Sequence, residues 1–453
     1  MGTMSVDRRQ FLFGASVAGF GVLIQGRNGW AGGVGRNETM QFACIGVGGK
    51  GQSDTNHVGS LGHIVGLCDI DRKRLDAMGD HHKDAKKYAD FRALLHDLGN
   101  QIDAVTVSTP DHTHAPAAVT AMRMGKHVYC QKPLAHSVWE ARLMRETARQ
   151  KHLCTQMGNQ GTADPGFRRG VELIRGGVLG DVHEVHVWTN RPFHYWKQAP
   201  DIVARPKDTP PVPDYVSWDL FLGPAPERPY HPGYHPHNWR GFWDFGTGAL
   251  GDMACHTTNL PYMGLQLGLP THVSAVHSEI NPETYPAYST ITYEFPARGS
   301  RPAVKLTWYE GAKDGSRNLP PDSLFPAGLK PSDSGSLIIG SLGRMYSPSD
   351  YGSEQTLWPD DKFKHVLLPR IERDRDTDLS HKREWVAAIR AGKPEHALSN
   401  FDYSATLTET MLLGNVAVRS GEAIDYNPET GQITNSSTAA RYLKSHFRAG
   451  WEI

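Results

Sequence analysis

The most constraining stretch of this 453-residue sequence runs from Gln41 to Gly158, where strand-like and helix-like patterns alternate regularly. The apolar runs FACIGV, HIVGLCDI, AVTVST, HVYC and LCTQMG are separated by stretches such as KRLDAMGDHHKDA and APAAVTAMRMG. Strands alternating with helices predict a parallel, doubly wound sheet. Beyond Gly158 the pattern changes. VHEVHVWTN, THVSAVHSEI, STITYEF, AVKLTWYE and SLIIGSLGRMYS alternate apolar and polar residues with period two, which predicts an antiparallel sheet with one wet or helix-covered face. Two late helices, about SHKREWVAAIRAG and DYSATLTETMLLGNVAVRSG, each close on a glycine suited to a C-cap.

Gly46-Val47-Gly48-Gly49-Lys50-Gly51 follows the first strand directly and opens a helix, and the second strand ends in Asp69. In that context GxGxxG predicts dinucleotide binding. Gly46 permits the tight turn, Gly48 lets backbone approach a pyrophosphate, Gly51 allows close helix packing, and the helix N-terminus offers N–H groups to phosphate oxygens. Asp69 is expected to accept hydrogen bonds from an adenosine ribose and to repel a 2′-phosphate, favouring NAD. Lys50, Arg72 and Lys73 leave NADP possible. Asp69 as the N-cap of the following helix is compatible with the same position.

A lysine sits at the end of the strand in VYCQKPL, pinned between Gln131 and Pro133. Desolvating an ammonium is costly unless something uses it. In GALGDMACH, Asp252 and His256 stand four apart among small and apolar residues, a spacing that places both on one face of a helix. An isolated pair of this kind is more often a structural hydrogen bond or a metal pair. From Arg191 to about Trp243 the chain is crowded with Pro, His, Tyr and Trp, which blocks regular structure and points either to a loop shaping a binding site or to an insertion covering the sheet.

Charged residues make up 21% of the chain, formal net charge is zero, and no basic block recurs, so nucleic-acid binding has no electrostatic footprint. Five scattered cysteines show no metal-ligand spacing, and no metal site is expected. Near the start, Arg8-Arg9 precedes a glycine-broken apolar stretch that is short for a membrane span and has the layout of an export signal. RRQFL resembles a twin-arginine signal, with Asp7 where Ser or Thr is usual. The expected location is therefore periplasmic, with the signal removed or kept as an anchor.

The GxGxxG start, TPDHTHAPAAVTAMRMGKHVYCQKPLA, GALGDMACH, WVAAIRAGKP and the final FRAGWEI, in that order, resemble the Gfo/Idh/MocA oxidoreductases. The resemblance implies a Rossmann domain at 40–158 after a signal and linker at 1–39. It implies an α+β domain with a large, open, mostly antiparallel sheet at 159–453, for substrate and oligomerisation, whose last segment packs back on the Rossmann domain. It further implies NAD-dependent chemistry on a sugar, polyol or glycoside, and a homo-oligomer.

Lys132 corresponds to the family lysine that faces the reacting carbon, and Gln131 replaces the glutamate usual beside it. Loss of that carboxylate is expected to ease deprotonation of the lysine, or else to mark weakened chemistry. The Asp252/His256 spacing resembles the inositol dehydrogenase branch. That likeness makes His256 the base, Lys132 the hydroxyl's hydrogen-bond partner and relay, and Asp252 the orienting group. Pro110, Asp111, His112 and His114 resemble the nicotinamide-side loop. Gly49, Lys50, Gln131 and Asn159 complete the cofactor candidates. Gln160, Tyr195, Trp196, His237, Trp239 and Trp243 are the substrate candidates, because aromatic faces stack on sugar rings and imidazoles bond hydroxyls. Two other readings remain open: a redox-neutral NAD-dependent glycoside hydrolase, and a non-catalytic sugar-binding or sensing protein.

Overall fold

The computed structural model describes residues 39–366 and 374–453. The candidate export signal lies outside the described residues. Six strands form the first sheet: β1 (Gln41–Ile45), β2 (His63–Cys68), β3 (Lys86–Tyr88), β4 (Ala104–Val107), β5 (His127–Cys130) and β6 (Thr155–Met157). All neighbours pair in parallel, in the order β3-β2-β1-β4-β5-β6. The apolar runs became strands because both sheet faces are covered, so β1, β4 and β5 are buried almost throughout. β3 is short, mostly polar and at the edge, and periodicity gave no sign of it. The strand order reverses between β1 and β4, and their C-terminal ends open the crevice where this architecture takes ligands.

The second sheet is built from β7 (Val182–Trp188), β8 (His272–His277), β9 (Tyr288–Phe295), β10 (Val304–Lys313), β11 (Ser316–Arg317), β12 (Gly335–Gly340), β13 (Arg344–Ser347), β14 (Thr356–Trp358), β15 (Ile424–Asn427) and β16 (Gln432–Ile433). Its order is β14-β13-β12-β7-β10-β9-β8-β15-β16, with β11 attached to β10. Pairing is antiparallel except between β7 and β10, which run parallel, so the sheet is mixed. The single run SLIIGSLGRMYS resolves into the β12–β13 hairpin.

The late helices Thr377–Ala391 and Phe401–Ser420 end at Gly392 and Gly421, whose φ values of 65° and 68° require the left-handed conformation glycine tolerates. Both helices close the far edge of the first sheet. Trp385 Nε1 donates to the Cys154 carbonyl at 3.0 Å, and Phe401 N donates to Thr155 Oγ1 at 3.0 Å. One apolar core therefore runs from the first sheet through Phe401–Ser420 into the second. Among the described residues, no helix is long and apolar enough to cross a membrane.

Candidate active site

The loop after β1 is shaped by what its glycines exclude. A Cβ on Gly46 (φ 79°) would lie 2.6 Å from the Ser108 carbonyl oxygen, and one on Gly51 would lie 1.9 Å from the Gly46 carbonyl oxygen. These two glycines fix the close approach of loop, helix and neighbouring strand end. Gly49 instead faces open space. The helix it begins, Lys50–Gly59, has no side-chain cap and no acidic residue in its first turn, which leaves the positive end of the helix to a ligand. A cleft of about 280 Å³ opens here, lined among others by Gly46, Gly48, Gly49, Lys50, Asp69, Pro110, Gln131 and Lys132. This frame suits a dinucleotide: a helix end without a side-chain cap for phosphate, and glycines where side chains would intrude.

Asp69 follows the second strand directly and turns toward the loop. Its Oδ2 accepts the N–H groups of Val47 at 2.9 Å and Gly48 at 3.2 Å, and its Oδ1 accepts that of Asp71. Burial raises its affinity for a proton, and those backbone donors offset part of the effect. Asp71, not Asp69, caps the following helix. Arg74 passes so close to Gly48 that a Cβ there would lie 2.3 Å from its Cδ. This arginine covers the loop beside the phosphate position, and nothing in the glycine pattern announced it.

Gln131 and Lys132 leave β5 in different directions. Gln131 Nε2 donates to Asp54 Oδ2 at 2.8 Å, and Ser108 Oγ donates to the same oxygen at 2.7 Å. Asp54 is fully buried, and Lys50 and Lys382 stand 3.1 and 2.8 Å from its other oxygen. Burial raises its proton affinity, but Lys382 and Lys50 outweigh that and hold it below the usual carboxylate range. A glutamate at 131 would set a second carboxylate against Asp54, which accounts physically for the glutamine. The amide oxygen, Gln131 Oε1, is buried without a partner, and Gln131 lines the cleft.

The carboxylate that Lys132 lacks in sequence is supplied in space. Its ammonium is 2.5 Å from Asp252 Oδ1, on the helix Gly248–Thr257. Arg240 Nε lies 3.3 Å from the same oxygen and Arg191 Nε 3.7 Å from Oδ2. Burial disfavours the charged form of Asp252, but Lys132 and then Arg240 outweigh it and hold the group well below the usual carboxylate range.

Arg240 also reaches both oxygens of Asp111 at 3.0 Å, and Asp111 accepts from the N–H and hydroxyl of Thr247 at the start of that helix. One turn past Asp252, His256 is buried with Nδ1 unpartnered, its ring edge-on to Tyr351 at 5.0 Å. Burial, then the Lys132 charge, pushes its pKa well below the ordinary histidine value, so the imidazole is neutral near pH 7. Lysine, carboxylate and neutral imidazole thus gather where the two sheets' elements meet.

Other candidates are placed differently from expectation. The ring nitrogens of His112 lie 3.1 and 2.8 Å from the carbonyl oxygens of Phe245 and Phe221. Those of His114 lie 2.8 Å from the carbonyls of Pro133 and Thr109. Both rings lock the loop to its surroundings. Asn159 is buried, donating to the Cys255 carbonyl and accepting from Ser399. Gln160 donates to Tyr351 Oη at 3.4 Å.

Trp243 is 3% exposed and packs on Tyr285, and Trp196 is 8% exposed with its N–H on Gln198. Neither lines the nucleotide cleft. The aromatic segment forms its own core around Phe221, Tyr234, Phe242 and Phe245, because burial of large rings outweighs display. Trp239 and His237 do line the cleft, and Tyr195 is exposed with the Arg191 guanidinium 3.4 Å over its ring. Arg240, Arg191, Asp54, Arg74 and Tyr351 were not foreseen. Arg240 sits in NWRGFW, where a single cation between tryptophan and glycine was the available signal.

Residues 40–159 match an oxidoreductase family with an NAD-binding Rossmann fold, and residues 168–299 match the C-terminal alpha/beta domain of an oxidoreductase family. An inositol 2-dehydrogenase from Paracoccus denitrificans is 31% identical over 157 residues, 33% of this chain and 46% of that protein. The chain thus spans less than half of that relative's length. The WlbA dehydrogenase from Bordetella pertussis, solved in complex with NADH and UDP-GlcNAcA, aligns with a TM-score of 0.59 at 16% identity over 86% of this chain and 98% of that one. Levoglucosan dehydrogenase, solved with NADH, aligns with a TM-score of 0.57 at 16% identity over 86% and 99%. At such identity these structures show a shared fold. The two family matches together cover more than half of the sequence, and the chain belongs to the Gfo/Idh/MocA family of oxidoreductases, carrying its NAD-binding Rossmann fold.

Proposed function

We propose that this chain is an NAD-dependent dehydrogenase acting on a hydroxyl of a sugar, polyol or glycoside, exported with its cofactor tightly held. The observation that supports the reading is Lys132 in the wall of a cleft suited to a dinucleotide, paired with Asp252, one helical turn from the neutral His256. Bound NAD supplies the hydride acceptor, and the protein's residues handle the proton. His256, neutral because it is buried, accepts the hydroxyl proton. Lys132 donates a hydrogen bond to the hydroxyl oxygen while its ammonium stays paired with Asp252. Asp252 orients that ammonium, with Arg240 and Arg191 keeping it ionised. Asp69 beside the glycine loop favours NAD over NADP. Export rests on Arg8-Arg9 and the apolar stretch after them. Association of copies through the second sheet belongs to the same reading.

The test joins three readouts on the purified protein. Denaturation is expected to release stoichiometric nicotinamide; a cofactor-free protein with only millimolar affinity overturns tight retention. A panel of sugars, polyols and aryl glycosides is expected to yield reduced nicotinamide with a keto product. An aglycone released without net reduction replaces the dehydrogenase with the redox-neutral hydrolase. Turnover that survives His256→Ala removes the proton relay.

A further inference from the structure

A second cavity, of about 390 Å³, shares no lining residue with the nucleotide cleft. Residues 441–446, one end of the helix Phe401–Ser420, residues 224–226 and the Trp243–Tyr285 pair contribute its walls. Its volume falls within the roughly 300–1,000 Å³ typical of small-molecule sites.

Charge sets this cavity apart. Arg419, Arg441 and Lys444 line it, and no carboxylate among the described residues pairs with any of the three. Arg419 is held between two rings, 5.2 Å from the centre of Trp243 and 4.9 Å from that of Tyr442. Lys444 lies 3.9 Å over Trp139. Aromatic faces hold a cation in place without neutralising it, which leaves its N–H donors for an acceptor.

The two carboxylates on the wall are already engaged. Asp244 pairs with Arg228, and Glu140 Oε2 accepts the N–H groups of His136 at 2.9 Å and Ser137 at 2.8 Å. Burial also pushes Glu140 up to about 7, which thins its charge near neutrality. Polar groups suited to hydroxyls stand beside the cations. Asn415 donates through Nδ2 to the Thr247 carbonyl at 2.9 Å, leaving its own carbonyl oxygen for a donor, and Ser445, whose hydroxyl lies 3.3 Å from His136 Nδ1, also lines the cavity.

We propose that this cavity binds a small organic anion of monosaccharide size, its carboxylate or phosphate held by Arg419 with Arg441 and Lys444 at the mouth. The site is separate from the cofactor cleft and does not depend on which reaction that cleft supports.

Calorimetric titration of the full-length protein tests it, with glucuronate, glucose 6-phosphate, glucose and inorganic phosphate as probes. At least one anionic sugar is expected to bind saturably, with glucose and inorganic phosphate much weaker, and the heats are expected to persist with NAD in excess. Which of glucuronate and glucose 6-phosphate binds tighter separates carboxylate from phosphate recognition. Charge reversal at the exposed rim, Arg441→Glu with Lys444→Glu, is expected to weaken binding about tenfold or more without unfolding the protein. Arg419→Gln, which keeps donors but removes the charge, is expected to weaken it as well. The proposal falls if neither anionic sugar binds up to about 10 mM, a level equivalent to very weak affinity. It falls equally if NAD displaces the bound probe, if inorganic phosphate binds as well as the sugar phosphate, or if the rim variant binds as the parent does.

Discussion

Gln131 and Lys132 are neighbours in sequence, yet they join two ion networks of opposite character. Gln131 reaches Asp54, where two ammonium groups, Lys50 and Lys382, meet two carboxylates, Asp54 and Asp378. That network is balanced, and Lys382 and Asp54 within it are fully buried. It ties the helix after the glycine loop to the helix Thr377–Ala391. Lys132 reaches Asp252, where three cations, Lys132, Arg191 and Arg240, meet two carboxylates, Asp252 and Asp111. The surplus positive charge there adds to burial in keeping His256 neutral. Balance marks the network that holds the fold. Imbalance marks the one proposed above to meet the substrate.

The largest expected effect comes from removing the surplus. Lys132→Ala is expected to lower kcat on the identified substrate by roughly 10²–10⁴, the range for a positioned acid–base group. Asp252 keeps Arg240 and Arg191, so thermal unfolding should move little. The same variant has a pH signature. A base works when unprotonated, so the acid limb of kcat/KM in the parent enzyme should lie below the ordinary histidine range, because burial and Lys132 depress His256. Without Lys132 one of those causes is gone, and the limb should move to higher pH. An unmoved limb in the residual activity would dissociate His256 from the profile.

The balanced network should answer in stability instead. Lys382→Met leaves buried Asp54 with Lys50 alone, and breaking a buried pair this way costs about 3–5 kcal/mol in urea unfolding. Asp54 and Asp378 are both held below their ordinary values, so their contribution in the parent is present above the unfolded carboxylate pKa and lost as pH falls through the folded one. The variant has less of that contribution to lose. Its deficit should therefore be full at neutral pH and narrow only as pH falls below about 4, the unfolded aspartate value. A deficit that is constant with pH would point to packing rather than charge.

What the sequence disclosed follows from which interactions are local. Strand and helix alternation, GxGxxG and the i,i+4 pair of Asp252 and His256 depend on neighbours in the chain, and the structure carries each of them. Lys132 was conspicuous because a lysine at a buried strand end needs a partner, although its partner lies 120 residues away. Arg240 and Asp54 gave no such sign. A cation among aromatics and an aspartate inside a helix are ordinary until folding brings Asp252 or Lys382 beside them. The aromatic segment misled for a related reason. Rings suited to stack on a sugar are equally suited to stack on each other, and at Trp243 and Tyr285 they did so at 3.8 Å. His112 and His114 show the same ambiguity, since a backbone carbonyl satisfies an imidazole as well as any ligand does.

The smallest effect concerns the boundary between the two networks. Gln131→Glu places a carboxylate oxygen where an amide now donates 2.8 Å to Asp54. The pair must then share a proton or repel, at a cost of about 1–3 kcal/mol for a buried acceptor facing an acceptor. Sharing raises the folded pKa of the introduced glutamate above its unfolded value. Stability is then retained at low pH and lost as pH rises through that raised pKa. Urea midpoints of variant and parent should converge near pH 5 and separate at pH 8. Asp54→Asn in the same chain restores an amide–carboxylate pair with its sense reversed, within reach of the same two lysines. The double variant should be more stable than the sum of the two single changes predicts, a coupling between contacting residues of about 0.5–3 kcal/mol. Strict additivity would mean that Gln131 is not there to face Asp54, and the division between a balanced scaffold and an unbalanced site would lose its hinge.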